Sequence, residues 1–117
     1  MQKQLTETSF EPFLMAWQNE QRLNPRTSIG KKIKYRLVNM DNFEECRLHD
    51  LSRDGALIST SSRIPLHSRI HLTITPDNEV NFSIQIIATV VRSSTDHVTD
   101  GHFFKYGCHF EYVNDPN

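Results

Sequence analysis

From residue 31 onward the chain alternates apolar and polar side chains in short runs broken by turn residues, and this pattern limits the fold more than anything else in the sequence. Lys31–Val38 puts Ile33, Tyr35 and Leu37 on one face; residues 43–51 alternate through Cys46 and Leu48; residues 56–60 form a short run, ALIST. Arg69–Thr75 alternates Ile70, Leu72 and Ile74; residues 81–92 carry Phe82, Ile84, Ile86, Ala88 and Val90; residues 102–113 supply a last strand in which Gly107 marks a bulge. The connections are Met40–Asn42, Ser52–Gly55, the segment around Pro65, Pro76–Asn78 and Ser93–Gly101. Six short strands with such turns predict an antiparallel barrel or a strongly curved sheet.

The front of the chain follows a different period. Phe10, Phe13, Leu14 and Trp17 recur at helical spacing, with Ser9 placed to cap and Pro12 in the first turn. A short amphipathic helix is expected over 10–20. Its apolar stripe needs a surface to dock on, either the barrel or a second subunit, the latter giving a homodimer. Residues 21–30, QRLNPRTSIG, read as a polar linker. The chain has 117 residues, which suits one domain, with a tail and helix at 1–19 and the strand-rich domain at 20–117.

Thirteen Lys and Arg balance fourteen Asp and Glu, for a net charge of −1, which argues against a general DNA or RNA binder. A small anion held by local arginines remains compatible with that balance. No apolar run reaches the length of a membrane span, and the opening MQKQLTETSF has no apolar core of a secretory signal. Cys46 and Cys108 make no disulfide framework, so a reducing cytoplasm is the expected compartment. His67 and His71 are four apart, but on a strand, and the pairs Cys46/His49 and Cys108/His109 lack zinc-type partners, so no metal is expected. No nucleophile elbow, phosphate loop or catalytic carboxylate pair is present, and no enzymatic activity or cofactor is expected. The run Phe103, Phe104, Tyr106, Phe110, Tyr112 reads as a core-lining strand rather than a base-stacking platform.

Two polar clusters remain: Arg22-x-x-x-Arg26 before the first strand, and Asp50-x-Ser52-x-x-Gly55 at the end of the second. Arginine grips phosphate bidentately, matches the O6/N7 edge of guanine and stacks on bases. A carboxylate can accept from the donors of guanine, a serine hydroxyl can donate to phosphate or base, and glycine permits a tight turn. Both clusters, in this order and before six strands, resemble the PilZ domain family of bacterial cyclic di-GMP receptors. Glu20, Arg22, Pro25 and Arg26 echo the wording of the family's first motif.

The resemblance implies a six-stranded antiparallel PilZ-type β-barrel, here preceded by the short N-terminal helix, in an all-β fold with one flanking helix. It implies that Arg22, Arg26, Asp50, Ser52 and Gly55 contact the ligand or shape its pocket. Arg53, inside the second motif, and Arg92, at the end of the fifth strand, are further candidates for the cyclic di-GMP site. Gln21 stands where many members have arginine, which leaves open whether one ligand or an intercalated pair is bound. Many members also continue into a C-terminal helix, whereas four residues follow Val113 here; either the helix at 10–20 takes over part of that cover or the chain is a fragment of a longer protein.

The expected function is a cyclic di-GMP receptor and adaptor that signals to a downstream protein, with residues 20–28 mobile until the ligand clamps them. Motility, secretion, adhesion and biofilm control are all open as pathways. The alternative is a PilZ-like scaffold with weak or no nucleotide binding. An oligonucleotide-binding barrel is disfavoured by the acidic pI of about 6.6 and by the missing basic stripe.

Overall fold

The computed structural model describes residues 10–23, 31–75, 83–98 and 101–114. Helix α1 spans Phe10–Leu23, and six strands follow: β1 (Lys31–Leu37), β2 (Glu44–Leu51), β3 (Gly55–Thr60), β4 (Arg69–Ile74), β5 (Ile84–Val98) and β6 (Gly101–Asn114). All neighbours are antiparallel, and the order β1-β2-β3-β6-β5-β4 closes through the β1–β4 pair into a barrel. Closure leaves the barrel wall without an edge strand open to stray pairing.

Period-2 alternation fills the interior. Ile33 and Tyr35, Cys46 and Leu48, Ile70 and Leu72, and Ile84 through Val90 at every second position are all buried. The buried Tyr106 hydroxyl accepts from the Ile64 N–H at 2.8 Å and donates to the Ser62 carbonyl at 3.4 Å, fixing the β3–β4 connection onto β6.

Helix α1 docks on the barrel of its own chain. Phe10 and Leu14 are buried in the common core, and Phe13 and Trp17 pack half-buried beside them. Phe10 meets Phe110 of β6 edge-on, with ring centroids 6.2 Å apart. The buried Trp17 Nε1 has no hydrogen-bond partner among the described residues.

Three expectations need correction. The helix runs to Leu23 rather than stopping near residue 20, so the first residues expected in a mobile linker are helical. Glu20-Gln21-Arg22-Leu23 are all good helix formers. What disfavours a further turn is Pro25, which restricts the residue before it. The rest of that segment, 24–30, lies outside the described residues.

Second, Ser93–Gly101 is no long connection. β5 and β6 pair from Gln85↔Asn114 out to Val98↔Gly101, forming a hairpin longer than the strands around it. Ser93 and Ser94 are exposed, and the polarity of the stretch was the basis for reading a loop there. Third, the irregularity near Gly107 belongs to the opposite strand: Val90 pairs with Cys108 and Arg92 with Gly107, leaving Val91 as the extra residue on β5. A second bulge, at Glu111 on β6, shifts the alternation so that Tyr112 is exposed, while Tyr106 and Phe110 line the core as expected.

Candidate ligand cleft

The second motif is built by a four-residue turn. The Ser52 N–H donates to the Gly55 carbonyl at 2.8 Å, and the Ser52 hydroxyl both donates to that carbonyl and accepts from the Gly55 N–H, each at 3.2 Å. The Phe110 N–H donates to the Asp54 carbonyl at 2.8 Å, tying the turn to β6. Gly55 has no room for a side chain: a Cβ there would lie 2.5 Å from the Cys108 carbonyl oxygen. Asp50 is exposed, and its Oδ1 accepts from the Leu51 N–H at 2.9 Å.

Bulges decide which side chains reach this surface. On β2, Cys46 and Leu48 point inward, and continued alternation would send Asp50 inward too. The pairing instead slips between Leu48 and Asp50, with His49 as the extra residue. Leu51 is therefore buried and Asp50 exposed. On β5, Val91 does the same for Arg92, which would otherwise follow Val90 into the core. Bulges commonly re-aim side chains in this way beside functional sites.

The strand registers then align Asp50↔Leu57, Leu57↔Gly107 and Gly107↔Arg92. One outward row crosses four strands, from a carboxylate, over an apolar side chain and a glycine, to a guanidinium. At roughly 4.8 Å per strand step the row ends are about 14 Å apart. Arg92 lies across Gly107: a Cβ there would meet its Nε and Nη2 at 3.1 Å. The missing side chain lets the guanidinium settle against the sheet.

A cleft of about 300 Å³ follows this row. Asp50, Ser52, Gly55 and Arg92 line it, together with Leu57, Val91, Gly107, His109 and their neighbours. Four of the seven residues singled out from sequence thus share one surface. Arg53 is not on the lining. Its Nε lies 3.2 Å from Glu11 Oε2 and its Nη2 3.4 Å from Oε1, joining the turn to the first turn of α1. Arg22 falls in the last turn of α1, and Arg26 lies outside the described residues.

Gly107, Leu57, Val91 and His109 were missed as cleft residues. For Gly107 the signal was present, a glycine inside a strand, but a bulge was the nearer explanation. Val90-Val91-Arg92 breaks the alternation and could have located the re-aimed arginine.

Cys108 lines the cleft, but burial pushes its thiol up to about 12. Burial, with a smaller contribution from Cys108, pushes Cys46 up to about 12 as well. Both thiols are protonated at neutral pH and are poor nucleophiles. No described helix is long and apolar enough to cross a membrane.

Residues 20–117 match the family model described as PilZ domain. No curated protein and no solved structure matches the chain.

Proposed function

The chain belongs to the PilZ domain family, and from that premise we propose that it is a non-enzymatic receptor for cyclic di-GMP that passes the signal to a separate protein. The observation that carries this reading is the row Asp50–Leu57–Gly107–Arg92, bounded at one end by the Ser52–Gly55 turn. Asp50 accepts from the N1–H and N2–H₂ donors of a guanine. Leu57 offers an apolar floor to its ring. Arg92 serves phosphate or the O6/N7 edge. Ser52, whose hydroxyl is engaged by Gly55, acts chiefly by holding the turn. Arg22 and Arg26 supply the remaining positive charge.

The signal runs through α1. The helix carries Arg22 at its end, while Arg53 of the second motif holds Glu11 at its start. A dianion that draws Arg22 toward the cleft shifts the helix relative to the barrel. The shift can be no larger than the ligand's preference for the closed arrangement.

Calorimetry with cyclic di-GMP, against cyclic di-AMP and GTP, tests the reading. Saturable binding of cyclic di-GMP is expected, with Arg26→Ala weaker by about 20-fold or more, the effect of losing a desolvated charged contact. Heat from none of the three ligands would leave the scaffold alternative standing.

A further inference from the structure

Along the sequence the basic residues concentrate in KKIKYR at 31–36, and the strand registers assemble a further basic row across the barrel wall. Lys32 pairs with Arg47, Arg47 with Ser59, and Ser59 with Lys105. Lys32, Arg47 and Lys105 alternate with buried neighbours, Ile33, Cys46, Leu48 and Tyr106, so the three cations face outward, while Ser59 between them is itself buried. It spans β1, β2, β3 and β6, about 14 Å from end to end at the usual strand spacing. In its middle, His49 at the β2 bulge is bonded through Nε2 to the Ser59 hydroxyl at 2.7 Å.

This row lies beside the cleft row. Ser59 and Leu57 are two residues apart on β3, as are Lys105 and Gly107 on β6, a step of about 7 Å. Arg92 closes the band at the cleft side. Lys32 and Arg92 are exposed; Arg47 and Lys105 are half-buried and held by contacts with neighbours. Carboxylates bound the band on both sides: Glu45, opposite Lys34, on one, and Asp50 and Asp54 on the other.

We infer that Lys32, Arg47 and Lys105, continued by Arg92, form a docking surface for a short acidic segment of a protein partner, and that an anion in the cleft weakens this docking. The charge of the band selects an anionic partner, and the carboxylates along its two sides select a narrow one. A nucleic-acid duplex laid along the band would be wider than the gap and bring phosphates against Glu45 or against Asp50 and Asp54, whereas a single extended run of Asp or Glu residues lies between them. The antagonism rests on the proposed function. A bound dianion engages Arg92 and adds negative charge within about one Debye length of Lys105. The coupling is reciprocal, so the acidic partner weakens the ligand by the same factor.

The test is fluorescence anisotropy with a labelled hexaglutamate peptide at low ionic strength, on the full chain. The wild type is expected to bind it, more weakly as salt rises. The double variant Lys32→Glu/Lys105→Glu should lose about tenfold or more in affinity while still unfolding cooperatively, since several charge pairs with the peptide turn repulsive. If that variant fails to fold, Lys32→Gln/Lys105→Gln should still show a clear loss. Saturating cyclic di-GMP should weaken peptide binding to the wild type about fivefold, at the low end of allosteric couplings. Absence of peptide binding, equal binding by wild type and variants, or tighter binding of an oligothymidylate than of the peptide would overturn the docking surface. Unchanged peptide affinity with cyclic di-GMP bound, as measured by calorimetry, would overturn the antagonism. If calorimetry shows no cyclic di-GMP binding but the peptide depends on Lys32 and Lys105, the docking surface stands and the receptor reading falls.

Discussion

The β2–β3 turn and helix α1 lie side by side at one end of the barrel and are joined by the Arg53–Glu11 pair, but they are held in different ways. Short backbone bonds at Ser52, Gly55 and Phe110 fix the turn, and Gly55 sits where no side chain fits. The helix rests on two buried side chains, Phe10 and Leu14, and two half-buried ones. Each full burial is worth about 1.5–3 kcal/mol, and Trp17 Nε1 has no hydrogen-bond partner among the described residues. The exposed ion pair between the two regions adds about 0–1 kcal/mol. A site that recognises its ligand benefits from a fixed half. A site that reports the ligand needs a half that can move, and the helix is the part held weakly enough.

Gly55→Ala is the largest expected break in this comparison, because it attacks the fixed half. A methyl group 2.5 Å from the Cys108 carbonyl forces backbone to move. The cost expected is about 3 kcal/mol, a fall of more than about 10 °C in the melting temperature, and cyclic di-GMP binding should go with the turn. Leu14→Ala attacks the other half. It should cost about 2 kcal/mol, at the low end for a buried leucine because the helix can lift away. Trp17 emission should shift to the red, while the barrel's β circular dichroism persists.

Arg92→Ala sharpens the comparison at the cleft itself. Stability should change by no more than about 0.5 kcal/mol, as for an ordinary surface position. Affinity for cyclic di-GMP should fall about 20-fold, the usual cost of a lost charged contact to a desolvated ligand. Gly107→Ala should have a milder effect of the same kind, because the atoms nearest the added methyl belong to the movable end of Arg92.

Separate in kind is the alkaline limit set by the two thiols, worth up to about 1.4 kcal/mol per thiol for each pH unit above the ordinary value. Each stays protonated in the fold up to about 12, against an ordinary 9.0. Between those values the unfolded chain has lost protons the native one keeps, so native stability falls as pH rises through the window. Denaturant melts at pH 8 and pH 10 should show a lower midpoint at the higher pH, and Cys46→Ala/Cys108→Ala should flatten that difference. The same burial should leave both thiols unreactive toward iodoacetamide in the native protein.

What the sequence revealed, and what it hid, follows the range of the interactions involved. The turn was legible because its chemistry is local: Ser52 and Gly55 bond to each other, three residues apart. The helix was legible from its stripe, although its end was misplaced because Glu20–Leu23 are polar enough to pass for linker. The row of Asp50, Leu57, Gly107 and Arg92 was not legible as a unit. It depends on two bulges and three registers, and registers are set by packing between strands far apart in the chain. Arg92 could be suspected from its strand end, but only the Val91 bulge turns it outward. The basic band was hidden for the same reason, since Lys32, Arg47 and Lys105 come together only when β1, β2, β3 and β6 pair in register.

Amide hydrogen exchange, read residue by residue with and without cyclic di-GMP, tests the division between a fixed turn and a movable helix most directly. The account predicts that the Ser52, Gly55 and Phe110 amides are protected in the free protein and change little on binding, while exchange across α1, residues 10–23, changes clearly. Unprotected turn amides in the free protein, or an α1 whose exchange is the same with and without bound ligand, would contradict it.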